Sequence, residues 1–117
     1  LTGKQNNVIP YLNAMDVYVM PSLTETSCLA VMEAMSCSLP VISTPVGFVN
    51  DYIKEEKNGF FFPFQNSFFL YRRLKELKNY KLREKIGTNA RRTIINKFEF
   101  EKTKKEIVET IKEFSDF

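Results

Sequence analysis

Apolar residues in the first half of the chain form short β-rich runs separated by segments with helical spacing. Residues 16–20 and 41–43 are apolar runs with a proline at one end, which is typical of buried strands. An Asn-Gly turn signal precedes three phenylalanines at residues 60–62, which predicts a third short strand. Helices are predicted at residues 8–15, with Pro10 in the first turn, at 27–37 and at 48–53. Strands that alternate with helices indicate a parallel α/β sheet.

Beyond Pro63 the apolar positions follow helical spacing alone. They predict three more helices, at about residues 69–77, 82–95 and 100–114, the last with Ile107, Val108, Ile111 and Phe114 on one side. We divide the 117 residues, about one domain in length, into an α/β part (1–67) and a helical tail (68–117). Because a doubly wound sheet has roughly five or six strands, three strands predict the C-terminal half of a Rossmann-like domain.

Composition narrows the chemistry that this chain can perform. Apolar residues make up 44% and charged residues 26%, which favours a packed core over disorder. The sequence has no histidine and two cysteines, so an imidazole base and a zinc site are not expected. Cys28 and Cys37 are predicted on opposite faces of one helix, which excludes a disulfide and favours a reducing, cytoplasmic compartment. The sequence has no apolar run of membrane-spanning length, and a start without Met or signal peptide favours a fragment.

Charge is distributed unevenly along the chain. Residues 68–117 hold 14 of the 17 basic and 8 of the 14 acidic residues, a net charge of +6 against −3 for residues 1–67. Solvated amphipathic helices are the simplest explanation. Contact with an anionic membrane surface or with a missing domain is the alternative. Nucleic-acid binding is not expected because no RNA- or DNA-binding motif is present.

Two predicted loops carry candidate chemistry at the carboxyl ends of the first two strands, where parallel sheets bind ligands. The loop after the first strand leads into the predicted helix, whose N–H groups near Ser27, Cys28 and Leu29 would form an anion site. Glu25 and Glu33 bracket this helix start, roughly 10–12 Å apart if the segment is mostly helical. Such a spacing suits two acceptors that hold different hydroxyl-bearing parts of one extended ligand, with a diphosphate between them.

Five short segments occur together in one order and spacing: Pro-Ser-Leu-Thr-Glu at 21–25, Leu-Ala-Val-Met-Glu-Ala-Met-Ser-Cys at 29–37, Leu-Pro-Val-Ile at 39–42, Pro-Val-Gly at 45–47 and Asn-Gly at 58–59. In this the chain resembles the donor-binding domain of retaining glycosyltransferases of family 4 (glycosyl transferases group 1), which have the GT-B fold. The resemblance covers nearly the whole chain and includes Asp16, Gly87 and Phe98.

The resemblance implies a function and a set of site residues. Members of the family bind a nucleotide sugar such as a UDP- or GDP-hexose, transfer the sugar with retention and need no metal. By this resemblance Glu25, the candidate catalytic residue, contacts the donor sugar, and Glu33 accepts hydrogen bonds from the ribose. The remaining donor-binding candidates surround the diphosphate: Thr26, Ser27, Cys28 and Leu29.

Several features depart from the family pattern. The usual Gly-Phe-Gly run is Thr26-Ser27-Cys28 here, and the second glycine of the usual Gly-Gly loop is Phe48. The family's Arg/Lys pair and its acceptor-binding domain precede the matched region, so we expect no turnover by this chain alone. A non-catalytic interaction domain, or an inactive fragment of the same fold, is the alternative. Another type of α/β nucleotide binder is disfavoured because no Gly-x-Gly-x-x-Gly or Walker loop is present.

Individual candidates also have structural interpretations. Residues 22–25 form a capping-box pattern, in which Glu25 would only cap the helix. Glu33 could be a solvated helix residue, although its apolar neighbours favour a cleft. Cys28 at a helix start has the setting of a nucleophile. Without a histidine to assist it, a buried structural cysteine is the favoured interpretation.

Overall fold

Three parallel strands form the sheet in the part of the chain that the structure describes. A computed structural model describes residues 3–25 and 28–115, apart from the side chains of residues 98–101 and 114–115. The strands β1 (Tyr18–Met20), β2 (Val41–Ser43) and β3 (Phe60–Phe61) lie in the order β1-β2-β3. Val19 pairs with Ile42, and Ile42 pairs with Phe60. The predicted α/β class and the three parallel strands are confirmed.

Five helices surround the sheet within the described residues: α1 (Ile9–Asn13), α2 (Leu29–Ser36), α3 (Val49–Tyr52), α4 (Ser67–Glu76) and α5 (Tyr80–Ser115). Pro10 lies in the first turn of α1, as predicted. The prediction of two separate helices after residue 80 is wrong, because α5 is continuous over 36 residues. Residues 96–99 contain neither proline nor glycine, so nothing there interrupts the helix.

Both faces of the sheet are packed, because alternate residues of a strand point to opposite sides. Val41 and Met20 face a core shared with α2, α3 and α5, together with the half-buried Tyr18. Ile42 and Phe60 face a second core, which Leu77 and Ile86 complete. This alternation explains why the strands consist almost entirely of apolar residues.

Helix α5 packs across α2 and the turn that follows it. Gly87 lies against the backbone of Ser38, so closely that a Cβ at position 87 would be 2.0 Å from the Ser38 carbonyl oxygen. Arg91 Nη1 donates to the Ser36 carbonyl oxygen at 2.6 Å, which caps the end of α2. These contacts fix the position of α2, whose start carries the candidate site.

The two cysteines flank α2 instead of lying within it, which corrects the prediction that one helix carries both. Cys28 is the N-cap residue and Cys37 the C-cap residue. Both are free thiols at opposite ends of the helix. In the described part of the chain, no helix has both the length and the apolar character needed to cross a membrane.

Candidate functional site

The loop after β1 is fixed by a threonine from the neighbouring strand's end. The Thr44 N–H donates to the Met20 carbonyl oxygen at 3.0 Å, and its Oγ1 donates to the Ser22 carbonyl oxygen at 2.5 Å. Thr44 is fully buried. Sequence reasoning did not single out Thr44. Its position directly after a buried strand, at the carboxyl edge of the sheet, was the available signal.

Glu25 is exposed in this loop, at the carboxyl end of β1. The Ser22 Oγ donates to Glu25 Oε1 at 3.1 Å. The capping-box interpretation is wrong, because α2 begins only at Leu29 and its N-cap residue is Cys28, whose side chain makes no capping bond. Glu25 therefore precedes the helix start and presents its carboxylate to solvent. Thr26 and Ser27, two predicted donor-binding residues, lie outside the described residues.

Cys28 is a buried residue in the left-handed conformation, with φ of 54°. Its Sγ donates to the Val46 carbonyl oxygen at 3.8 Å. Burial, with a smaller contribution from the Glu25 charge, raises the pKa of the thiol, although backbone N–H groups of Val49 and Phe48 oppose this. The thiol is therefore protonated at neutral pH, which supports the structural interpretation over the nucleophile.

The first turn of α2 directs backbone donors toward the same region. The Cys28 carbonyl oxygen accepts from the amides of Val31, at 3.0 Å, and Met32. By helix geometry, the preceding amides of Leu29 and Ala30 have no partner within α2. The positive end of the helix dipole adds to their attraction for an anion. This turn lies between Glu25 in the loop and Glu33 further along the helix.

A pocket of about 270 Å³ opens beside α2. Helix α1 and the segment before it form one wall, and α2 and β1 form the other, with these lining residues: Gly3, Gln5, Val8, Tyr11, Leu12, Met15, Tyr18, Ala30 and Glu33. The pocket volume is just below the usual range for small-molecule sites, about 300–1,000 Å³. Glu33 is exposed and lies on the wall of a mostly apolar cleft, as its apolar neighbours in the sequence had suggested.

Tyr18 lines the pocket and interacts electrostatically with both glutamates. Its ring packs against the core below α2, and it also lines the pocket that Glu33 lines. Burial raises the pKa of the Tyr18 phenol, and the negative charges of Glu33 and Glu25 raise it further. The hydroxyl is therefore a protonated hydrogen-bond donor within electrostatic reach of both carboxylates. Sequence reasoning assigned Tyr18 only to a buried strand. Its polar hydroxyl in an apolar run was the signal that could have found it.

Comparison with known proteins identifies the family. The family described as Glycosyl transferases group 1 matches residues 1–93. This chain belongs to the glycosyl transferases group 1. Among its relatives are UDP-Gal:alpha-D-GlcNAc-diphosphoundecaprenol alpha-1,3-galactosyltransferase of Escherichia coli, 33% identical over 84% of this chain, and N-acetyl-alpha-D-glucosaminyl L-malate synthase of Bacillus anthracis, 30% identical over 86%. The chain spans 25% and 26%, respectively, of the lengths of these two relatives.

Solved structures confirm the predicted fold. The C-terminal domain of a glycosyl transferase group 1 family protein from Francisella tularensis matches with a TM-score of 0.75 and 27% identity, over 84% of this chain and 51% of that one. Anabaena HepE, solved in complex with UDP-glucose, matches with a TM-score of 0.79 and 22% identity, over 92% of this chain and 30% of that one. The second likeness is one of fold alone. The fold of this chain is that of the C-terminal domain of GT-B glycosyltransferases.

Proposed function

We propose that this chain is the donor-binding part of a retaining family 4 glycosyltransferase. In this proposal it binds a nucleotide-diphosphate sugar of the UDP or GDP type, without a metal, and an acceptor-binding domain outside these residues completes the enzyme. Family membership supports a sugar-transferring role. The name of the Escherichia coli relative includes a UDP-sugar donor, and the Anabaena structure was solved with UDP-glucose.

The position of Glu33 on the wall of the pocket beside α2 carries the proposal. In the proposed complex, the Glu33 carboxylate accepts hydrogen bonds from the ribose hydroxyls. The mostly apolar wall formed by α1 takes the base, with the Tyr18 hydroxyl as a nearby donor. A nucleoside bound in this way extends toward the start of α2.

The diphosphate would lie at the start of α2. There the amides of Leu29 and Ala30 and the helix dipole stabilise its negative charge. Together with basic side chains from outside these residues, they would stabilise the charge that develops on the leaving diphosphate. The donor sugar would then reach Glu25, whose exposed carboxylate accepts hydrogen bonds from sugar hydroxyls. Thr44 supports this step by holding the loop that carries Glu25.

Nucleotide binding by the purified chain tests the proposal. Isothermal titration calorimetry would compare UDP, GDP and their hexose conjugates on wild type, Glu33→Ala and Glu109→Ala. Glu109 is a matched control, since it is an exposed helical glutamate on α5 outside the pocket. Hydrogen bonds to a charged group contribute about 1.5–3 kcal/mol, so Glu33→Ala should weaken binding by about ten- to a hundredfold. Glu109→Ala should leave the affinity unchanged.

Two results would contradict the proposal. A folded chain that binds no nucleotide at millimolar concentration would favour the non-catalytic interaction domain. Equal affinity of wild type and Glu33→Ala would show that nucleotide binds elsewhere. The nucleotide with the higher affinity would identify the base.

A further inference from the structure

Helix α4 presents aromatic and basic residues to solvent. Phe68, Tyr71, Arg72 and Lys75 are spaced at i, i+3, i+4 and i+7, so they share one side of the helix, which we name the α4 face. Phe68 is 64% exposed and Tyr71 is 59% exposed. None of the residues of α4 is buried. Contiguous exposed aromatic residues of this kind mark an interaction surface.

The opposite side of α4 already has its partners. Leu70 packs against the core that contains Phe60. The Arg73 guanidinium lies over the Phe60 ring, 4.9 Å from its centroid, and forms ion pairs with Glu55, Glu56 and Glu76. These contacts hold the helix in one orientation and neutralise Arg73. The α4 face is therefore directed outward by the packing of α4 and does not compete for the core.

The segment that carries the α4 face has a basic excess. Residues 64–85 contain seven basic and two acidic residues, and one of the seven, Arg73, is paired with Glu55 and Glu56 from outside the segment. Two more exposed aromatic residues flank α4, Phe64 before it and Tyr80 after it. Exposed aromatic rings beside cations are typical of segments that lie in the interface of an anionic bilayer. The far end of α5 differs, since residues 102–113 contain four basic and three acidic residues and no aromatic one.

The topology places the segment before α4 at the same edge of the sheet as the loop that carries Glu25. In a parallel sheet the carboxyl ends of all strands lie at one edge. Glu25 follows β1 at that edge, and Phe64 follows β3 at the same edge, before α4 begins. The two strands are separated by β2 alone, so their ends are about 10 Å apart. Phe64 and Glu25 therefore share this edge, whereas α4 and α2 pack on opposite faces of the sheet.

We propose that the α4 face binds an anionic lipid bilayer. The proposal does not depend on nucleotide binding, and it assigns the basic excess of the tail to one particular surface. Aromatic rings would enter the headgroup region, while Arg72 and Lys75 would contact lipid phosphates. A second copy of the chain and a domain outside these residues are the other candidate occupants. A dimer would identify the first, and absence of both vesicle binding and a dimer would favour the second.

Vesicle cosedimentation of the 117-residue chain tests this surface. Vesicles would be made of phosphatidylcholine alone or with about one third phosphatidylglycerol. A basic residue near an anionic surface contributes about a fivefold increase in partitioning, so Arg72→Gln with Lys75→Gln should weaken binding about thirtyfold. Phe68→Ala with Tyr71→Ala should weaken it at least tenfold on the same vesicles. The control pair Lys104→Gln with Lys105→Gln, on the far end of α5, should change binding less than threefold.

Several outcomes would overturn the proposal. They are absence of binding to the anionic vesicles, equal binding by the Arg72/Lys75 variant, and loss of binding in the Lys104/Lys105 control alone. Sedimentation equilibrium provides a second measurement. A wild-type dimer that becomes monomeric in the Phe68/Tyr71 variant, without vesicle binding, would identify a second copy as the occupant. Circular dichroism would verify that each variant is folded. We expect the Arg72/Lys75 variant to fold because both side chains are exposed.

Discussion

Replacement of Gly87 by alanine should destabilise this fold, although alanine is the better helix former. Gly87 lies within α5, where it crosses the turn after α2. A Cβ at this position would be 2.0 Å from the Ser38 carbonyl oxygen and 3.0 Å from the carbonyl carbon. Ordinary van der Waals contacts of a Cβ begin near 3.4 Å, so one of the two segments must move by more than 1 Å.

Neither segment can move easily. The clashing atoms of Ser38 belong to the backbone, which has a φ of 62° and whose N–H donates to the Met35 carbonyl oxygen at 3.0 Å. On α5, the neighbouring Ile86 and Ala90 are fully buried. Overpacking costs about 1–3 kcal/mol, and we expect the upper end here because backbone is involved. The higher helix propensity of alanine offsets about 1 kcal/mol of this destabilisation. The net loss should therefore be about 2 kcal/mol.

Urea unfolding followed by far-ultraviolet circular dichroism measures this difference. Thr88→Ala is the matched control, because Thr88 is the next residue of α5 and is exposed. It should raise the free energy of unfolding by no more than about 0.7 kcal/mol, the gain in helix propensity from threonine to alanine. If Gly87→Ala were as stable as wild type, or more stable as propensity alone predicts, the close contact between α5 and the turn would be refuted.

Three further substitutions test other parts of the account. Tyr52 is buried, and its hydroxyl has no hydrogen-bond partner among the described residues. Tyr52→Phe should therefore raise the free energy of unfolding by about 1 kcal/mol, and a lower free energy of unfolding would contradict this. Burial raises the pKa of Tyr52 above its ordinary value of 10.0, so its phenol ionises at lower pH in the unfolded chain than in the folded one. The free energy of unfolding should therefore fall as the pH rises above 10, and the fall should be smaller in Tyr52→Phe. The buried Asn58 side chain accepts from the Lys54 N–H and donates to the Tyr52 carbonyl oxygen and Thr93 Oγ1. Asn58→Ala should therefore lower the free energy of unfolding, measured in urea, by about 3 kcal/mol. A loss below about 1 kcal/mol would contradict this structural role. If the proposed function is correct, Tyr18→Phe should weaken nucleotide binding, measured by calorimetry, about fivefold. An unchanged affinity would show that the Tyr18 hydroxyl does not contact the nucleotide.

The strands were predictable because their signal is local. Apolar β-rich residues next to Pro21 and Pro40 indicate buried strands whatever they pack against. The start of α2 was misplaced because Cys28 adopts a left-handed conformation, which its own side chain does not favour. In the family that this chain resembles, the residue at the position of Cys28 is usually the last glycine of the Gly-Phe-Gly run. The tail was divided wrongly because the apolar stripe shifts after Ile95, although the backbone stays helical.

The site was predictable only where a motif carried it. Glu25 and Glu33 were found from their spacing and from the resemblance, and Glu33 lies on the wall of the pocket. Thr44 and Tyr18 were missed because their roles depend on residues far along the chain. Thr44 acts on Ser22, 22 residues away, and Tyr18 lies near Glu33 only because β1 packs below α2. Such contacts are set by the tertiary fold. The local signals, a polar side chain within or directly after an apolar strand, mark the two residues and do not identify their partners.

The central claim is that the pocket beside α2 binds the nucleotide of a sugar donor. Titration of the ¹⁵N-labelled chain with UDP, followed by ¹H–¹⁵N correlation spectra, tests this claim most directly. We predict that the largest shifts occur at the amides of Gly3, Tyr18, Leu29, Ala30 and Glu33. The account would be contradicted if millimolar UDP left these amides unchanged in a folded chain, or if the shifts were confined to α4 and the far end of α5.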